Sequence, residues 1–415
     1  MTLNASTLTS IRWDAARRFD ELGFPTTRDE EWRFTNVSSI AKTQYSPAPT
    51  DLTEEEAELL DRRLVPNDGG PRLVFINGRY MTGPASSRKL PRGVRVTPLR
   101  EANGAVEAHL ARYAAYRDCA FVALNTANFE DGACIEIPGG VVVEEPIQLV
   151  FFATGDEVPV ISHPRSLIVV GPGSQATFVE NYLGYGAKYF TNAVTEIVAG
   201  DRSVVDHYKL QEEDARSSHI ATLQVQIGRD ANFTTHSISP GGGGLVRNDI
   251  NAVLAEGSEA TVNGLYLASG SQHIDNHTVI DHAKPHGTSH ELYKGILGGA
   301  STAVFNGKVI VRQDAQKTDA KQTNRNLVLS ENATIHTKPE LQIHANDVRC
   351  THGATIGQLD QEAIFYLQSR GIAKEQACDL LMHAFARDII DRVKVGPLRA
   401  RLEQILLERL HALRN

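Results

Sequence analysis

One short pattern recurs seven times between residues 173 and 350 and limits the folds open to this chain. Each copy opens on glycine or another small residue, and six of the seven copies end on a bulky apolar residue at the sixth position. The sixth positions lie 27, 28, 29, 42, 31 and 15 residues apart, which corresponds to two, two, two, three, two and one units of about 14 residues. A fixed period of this size is typical of a solenoid. The sixth positions are Phe178, Val205, Phe233, Val262, Val304, Ile335 and Cys350.

Each unit has the composition of a turn followed by a β-strand, stacked on its neighbours. Glycine suits a tight bend, and the residues near the sixth position alternate between apolar and polar, as in segments 223–227 and 304–311. This alternation predicts that the sixth side chain faces inward. A single coil cannot cover its apolar face, whereas stacked coils can. We therefore predict a mainly β fold with a parallel β-helix core, and an ordinary β-sandwich is the alternative.

The overall composition excludes several classes of protein. The chain has 415 residues and a net charge of −8, which argues against nucleic acid or an anionic membrane as its main partner. We see no secretory signal and no apolar run near the roughly 18 residues that span a bilayer. The four cysteines form no C-x-x-C pair, so we expect neither a disulfide framework nor a zinc knuckle. These features predict a cytoplasmic protein.

Helical patterns flank the strand region on both sides. We expect a mostly helical N-terminal region over residues 1–130, the β-helix core over 131–357 and a helical C-terminal domain over 358–415. Within the first region, Thr53 should cap a helix, and a hairpin should turn at Asn77-Gly78. A short helix is also expected over residues 105–116.

The C-terminal region should contain three helices. Asp360 is placed to cap the first helix, the second runs from about Lys374 to Val393, and Pro397 opens the third. The third helix carries an apolar stripe that must pack on its own domain or on a partner. The stripe consists of Leu398, Leu402, Ile405, Leu406, Leu410 and Leu413.

Cys350 and His352 are the strongest candidates for chemistry. Residues i and i+2 of a strand share a face, so a thiol and an imidazole would lie side by side. Both groups bind soft or borderline metals. Two ligands are too few for a closed site, so further ligands would come from elsewhere in the chain or from another subunit. The alternative is a structural cysteine beside an unrelated histidine.

A second candidate is a histidine tract between His273 and His290. Its spacings suit neither one strand face nor a familiar zinc signature, so the alternative is a solenoid coil whose polar residues hydrogen-bond between rungs. The tract contains His273, His277, His282, His286 and His290.

We find no P-loop, nucleophile elbow or H-E-x-x-H motif, and hence no recognisable route to ATP hydrolysis.

Several longer runs resemble one known family. Residues 350–360 (CTHGATIGQLD), preceded by KPEL at 338–341 and followed by FYLQSRG at 365–371, resemble the C-terminal signature of the SufD family. SufD proteins are subunits of the Suf scaffold for iron–sulfur cluster assembly. The run QTNRNLVLS at 322–330 is similar to the same family, as are shorter runs at 28–32, 275–278 and 293–295. The sister family SufB is less similar, because it lacks the C-x-H-G-A-T signature in this form.

The resemblance implies a right-handed parallel β-helix flanked by mostly helical terminal regions. It also implies a complex in which a SufB-like subunit pairs through the β-helix and a SufC-like ATPase docks on the C-terminal helices. His352 would lie at the subunit junction and take part in assembling a transient cluster, with Cys350 as a neighbouring candidate ligand and further ligands from SufB. The resemblance implies no ATP site in this chain. The sequence has no flavin fingerprint, which leaves a flavin open.

These observations leave three hypotheses. The first is a non-enzymatic scaffold subunit for iron–sulfur cluster assembly. The second is a carbohydrate-active β-helix enzyme, which would need clustered carboxylates on one face. For that role the chain offers Asp206, Glu212, Glu213 and Asp214, without a convincing pair. The third is a homodimeric structural protein in which Cys350 and His352 belong only to the core.

Overall fold

The centre of the protein is a parallel β-solenoid of about eight turns with helical regions at both ends, which confirms the predicted fold class. The structure is a computed structural model that describes residues 5–47, 49–67, 69–81, 90–102, 108–155, 158–186 and 188–413. In these ranges, no helix is both long enough and apolar enough to cross a membrane.

Each turn of the solenoid gives one strand to each of two sheets. Sheet 1 contains β1 Ser46–Pro47, β4 Arg95–Pro98, β5 Ala133–Ile137, β7 Val160–Ser162, β8 Arg165–Val170, β10 Tyr189–Ala199, β12 Ser218–Ile227, β14 Leu245–Leu254, β16 His273–His282, β18 Thr302–Val311 and β20 Thr334–Ile343. Sheet 2 contains β2 Arg72–Ile76, β3 Arg79–Tyr80, β6 Ile147–Gly155, β9 Gln175–Gly186, β11 Val204–Glu212, β13 Asn232–Ser239, β15 Glu259–Ala268, β17 Thr288–Leu297, β19 Asp319–Val328 and β21 Arg349–Gly357.

The 14-residue unit of the sequence is one strand with its turn. The seven sixth positions fall on β9, β11, β13, β15, β18, β20 and β21, so the intervals of two, two, two, three, two and one units equal the strands traversed. One expectation needs correction. Consecutive units lie in opposite sheets, and the strands that stack on each other are two units apart, as β9 and β11 are.

The turns that lead into β9, β11, β13, β15, β17 and β19 each contain one residue with left-handed backbone, and this residue sets the register. It is glycine in only two of these six turns, and the first inward side chain of the strand follows three residues later. These inward residues pair in one continuous column down the sheet. The left-handed residues are Gly173, Arg202, Asp230, Gly257, His286 and Lys317. The inward residues are Ala176, Val205, Phe233, Ala260, Ser289 and Ala320.

The sequence placed one sixth position on the wrong face. On β18 the core positions belong to Ala303 and Phe305, whereas Val304 lies under the N-terminal segment beside Glu31 and Thr35. The cause is the turn before β18. Its left-handed Gly299 (φ 64°) stands four residues before the first core side chain, not three.

The N-terminal region contains helices and the predicted hairpin. Thr53 caps the helix Glu54–Arg63 through the expected capping box, in which the side chains of Thr53 and Glu56 each accept a hydrogen bond from the other residue's backbone N–H. Strands β2 and β3 form an antiparallel hairpin around Asn77 and Gly78, both with positive φ. Residues 103–107 lie outside the described ranges, and the helix expected over 105–116 gives way to turns from Leu110. The helices are α1 Ala5–Leu22, α2 Ser38–Lys42, α3 Glu54–Arg63 and α4 Ala120–Asn128.

The C-terminal helices cover the outer face of sheet 2. They are α5 Gln361–Ser369, capped by Asp360 as predicted, α6 Lys374–Ile390 and α7 Gly396–Leu413. The six residues of the predicted apolar stripe on α7 are all buried, against Tyr208, Leu265 and Ile296 among others. Burying each such side chain contributes about 1.5–3 kcal/mol. The stripe therefore packs on its own chain, and this packing fixes the helices to the solenoid.

Candidate functional site

The solenoid ends on two strand edges that carry no further strand. In the described part of the chain, β20 pairs only with β18 and β21 pairs only with β19. Each edge spans nine or ten residues. A long unpaired edge offers its N–H and C=O groups to another strand, and native proteins usually cover or blunt such edges. We use the term rim for these two edges together with the inward side chains of β20 and β21, which lie above β18 and β19.

Cys350 and His352 both belong to the rim. They pair in register with Ala320 and Gln322, two inward residues of β19 that are buried. The thiol and the imidazole therefore share the inward face, as the sequence predicted. Because β21 is the last strand of sheet 2, this face is not covered: Cys350 is half-buried against the core and His352 is exposed.

The local environment acts on the thiol. Burial raises the pKa of Cys350 above its ordinary value of 9.0, although a backbone hydrogen bond with Ala320 acts in the opposite direction. A metal ion would therefore have to displace the thiol proton to bind here, because the thiolate is the ligand. No group of three or more His, Cys, Asp or Glu side chains in the described ranges is arranged to hold a metal. Cys350 and His352 thus supply two ligands, fewer than a closed site needs.

The sequence did not predict which residues lie below His352. Gln322 lies one rung below His352, and Glu291 lies one rung below Gln322. The Gln322 Nε2 donates a hydrogen bond of 2.7 Å to the Glu291 Oε2. Burial raises the pKa of Glu291 to about 7, partly offset by its hydrogen bonds. The alternating polar residues of the QTNRN run were the available signal, since they place amides on the inward face.

Apolar residues also lie on the two strands of the rim. Ile335 and Leu341 of β20 are half-buried at the rim, and Ile343 and Ile356 are 41% and 52% exposed. A second group of exposed apolar residues follows β21 in the sequence, on the C-terminal helices. Phe365 and Tyr366 on α5 and Leu380 on α6 are 72%, 57% and 50% exposed. Large apolar side chains that cluster at a surface are characteristic of interaction sites.

The histidine tract does not form one site. His273 and His277 lie on β16 in sheet 1, His290 lies on β17 in sheet 2, and His286 occupies the turn between them. His273 Nε2 lies 2.9 Å from the Thr35 hydroxyl, and His277 lies between Asp275 (3.0 Å) and Glu31 (3.3 Å). The polar contacts of this pair therefore hold the N-terminal segment against sheet 1. His282 bonds Ser289 across the turn between β16 and β17, which lie in opposite sheets, so this contact is not the expected hydrogen bond between rungs.

The carboxylates considered for glycoside chemistry are also separated. Asp206 pairs with Lys394 and Glu212 pairs with Arg401, both at the C-terminal helices. Glu213 is buried beside His219, and Asp214 pairs with Arg216 at a turn. Each carboxylate thus has its own cation or histidine, and no pair of them faces a common cleft among the described residues.

Comparison with known proteins identifies the family. Residues 151–385 match the family described as "SUF system FeS cluster assembly, SufBD core domain", and residues 2–149 match the "SufBD protein N-terminal region". A SufBD family iron–sulfur cluster assembly protein of Synechocystis is 35% identical over 96% of this chain and 90% of its own length. The SufD proteins of Escherichia coli and Bacillus subtilis are 29% and 25% identical, over 94% and 96% of this chain and 90% and 93% of their own lengths.

The matches cover the N-terminal region, the solenoid and the sequence of the rim, so they reflect more than a shared β-helix fold. The open rim with its thiol and imidazole lies within the matched core domain. This chain belongs to the SufBD family of iron–sulfur cluster assembly proteins.

Proposed function

We propose that this chain is a non-enzymatic scaffold subunit that holds a nascent iron–sulfur cluster at a junction with a SufB-like subunit. The observation that carries the proposal is the position of Cys350 and His352 side by side on an uncovered rim. The cluster is the cargo of the scaffold and not a resident cofactor. Thiolate and imidazole are suitable ligands for cluster iron, and the partner subunit completes the ligand set. We place the protein in the cytoplasm, and the proposal needs no flavin.

The unpaired strands β20 and β21 favour the SufB-like partner at the rim. A second parallel β-solenoid would offer strand edges of the same kind, so its edges can continue both sheets across the junction. The apolar residues Ile343 and Ile356 would then be covered. In the absence of that partner, a second copy of this chain can use the same edges and form a homodimer.

The exposed apolar residues of α5 and α6 favour docking of the SufC-like ATPase there. Phe365 and Tyr366 lie next to each other on α5, whose only buried residue is Ile364. A short helix with so little internal packing presents most of its apolar surface to a partner. The ATP site would then belong to the partner.

A substitution of His352 tests the ligand role. His352→Ala should abolish iron–sulfur cluster maturation in cells, because it removes one of the two ligands. The fold should remain intact, because the His352 side chain is exposed. Thr351→Ala, an exposed neighbour on the same strand that faces outward, is the matched control. Unchanged maturation in the His352 variant would remove this residue from the mechanism.

Co-purification tests the partners. Phe365→Ala combined with Tyr366→Ala should reduce recovery of the ATPase subunit while the SufB-like subunit remains bound. Leu407→Ala, which removes an apolar side chain that is 63% exposed on α7, is the control. Recovery of the chain only as a homodimer from its native cytoplasm would contradict the scaffold and support the structural alternative.

A further inference from the structure

The last covered rung of the solenoid, just below the rim, is polar. The inward positions of β19 after Ala320 are three buried amides, Gln322, Asn324 and Asn326. Asn326 donates to the Asn324 Oδ1 at 2.6 Å, and Asn324 donates to the Tyr266 hydroxyl at 3.3 Å. Burying an amide is costly unless each polar atom finds a partner. The incomplete bonding of one amide in this rung therefore needs a reason.

That amide is Gln322. Its Nε2 donates to Glu291 on the rung below, and its Oε1 is buried without a hydrogen bond. The side chain crosses the interior as far as Gly307 on β18, where an added Cβ would stand only 2.4 Å from the Gln322 Nε2. Glycine at this position leaves space for the amide, which Glu291 holds from the rung below.

The rung above Gln322 carries His352. The two residues are in register on adjacent parallel strands, and such strands lie about 4.8 Å apart. In-register side chains on one face are close enough for an amide oxygen to accept a hydrogen bond from an imidazole N–H. With the Nε2 engaged below, the free Oε1 is the acceptor that remains for the histidine.

We infer that Gln322, anchored by Glu291, positions the imidazole of His352 by accepting one ring N–H and so directs the other ring nitrogen toward the rim. Histidines that bind metals usually donate their second ring N–H to a carbonyl or carboxylate, which fixes the tautomer and the orientation of the ring. Gln322 is thus a positioning residue. Its biological role rests on the proposed function, but the hydrogen bond itself does not.

The tautomer of His352 tests this inference on the isolated, metal-free chain. Long-range ¹⁵N–¹H correlation spectra of histidine-labelled protein at pH 8 show which ring nitrogen carries the proton, and His352→Ala assigns the signal. We expect a single dominant tautomer in the native protein and a mixture of both in Gln322→Leu. Gly307→Ala should shift the populations in the same direction, because its methyl group displaces the amide without changing it.

A matched control completes the experiment. Thr323→Val, at the outward neighbour of Gln322, should leave the populations unchanged. If Gln322→Leu does not fold, Gly307→Ala alone decides. A mixture of tautomers in the native protein, or the native population in both Gln322→Leu and Gly307→Ala, would overturn the inference. The outcomes for the two proposals can differ. A mixture of tautomers in Gln322→Leu and Gly307→Ala, found together with normal cluster maturation in His352→Ala, would support the positioning role of Gln322 and refute the proposed function.

Discussion

Replacing Glu291 by glutamine should stabilise this protein more at pH 8 than at pH 5. The Glu291 side chain is 3% exposed, and burial raises its pKa from 4.5 to about 7. A carboxyl group whose pKa is raised by folding stabilises the native state least when it is ionised. Its cost begins as the pH rises above 4.5, grows up to about 7 and is constant above that value.

The structure sets the magnitude of this effect. The difference between 4.5 and about 7 corresponds to roughly 3 kcal/mol at about 1.4 kcal/mol per pH unit, of which about 2–3 kcal/mol falls between pH 5 and pH 8. Glutamine keeps the acceptor oxygen for the Gln322 amide but cannot ionise, so Glu291→Gln removes the cost without removing that hydrogen bond.

Urea unfolding at the two pH values measures the effect. The difference in the free energy of unfolding between Glu291→Gln and the native protein should increase by about 2–3 kcal/mol from pH 5 to pH 8. The measurement at pH 5 is the internal control, because it includes any change in packing made by the substitution. The same difference at both pH values would show that Glu291 titrates as in the unfolded chain and would refute a low-dielectric interior below the rim.

Two other groups give tests of their own. Burial alone would lower the pKa of His277, but Asp275 and Glu31 raise this pKa to about 8. The contribution of His277 to the stability of the folded protein is therefore complete below pH 6.5 and is lost as the pH rises through 8. His277→Gln should therefore lose about 2 kcal/mol more stability at pH 6 than at pH 9 in urea unfolding, and an equal loss at both would contradict the ion contacts. Burial of Cys350 predicts that its alkylation by iodoacetamide has a midpoint above pH 9.0, higher than in the urea-unfolded chain, whereas a midpoint at or below the unfolded value would contradict that environment.

The local patterns of the sequence were sufficient for the elements of this fold. The strand period predicted how many strands separate any two copies, because each copy is one strand with its turn. The caps at Thr53 and Asp360 and the turn at Asn77-Gly78 depend on residues within four positions of one another, so they too could be predicted. The error at Val304 had a local cause that composition does not reveal, namely one additional residue between the bend and the core position.

The sequence alone determined that a thiol and an imidazole share one face of a strand, since this follows from the two-residue period of β-structure. Only the tertiary structure decided that this strand is the last of its sheet, that Gln322 and Glu291 lie in line below His352, and that the histidine tract is divided between two sheets. The physical reason is that contacts between rungs join residues about 30 positions apart. Such contacts depend on the turns and the register of whole coils together, and the residues of any one strand do not contain that information.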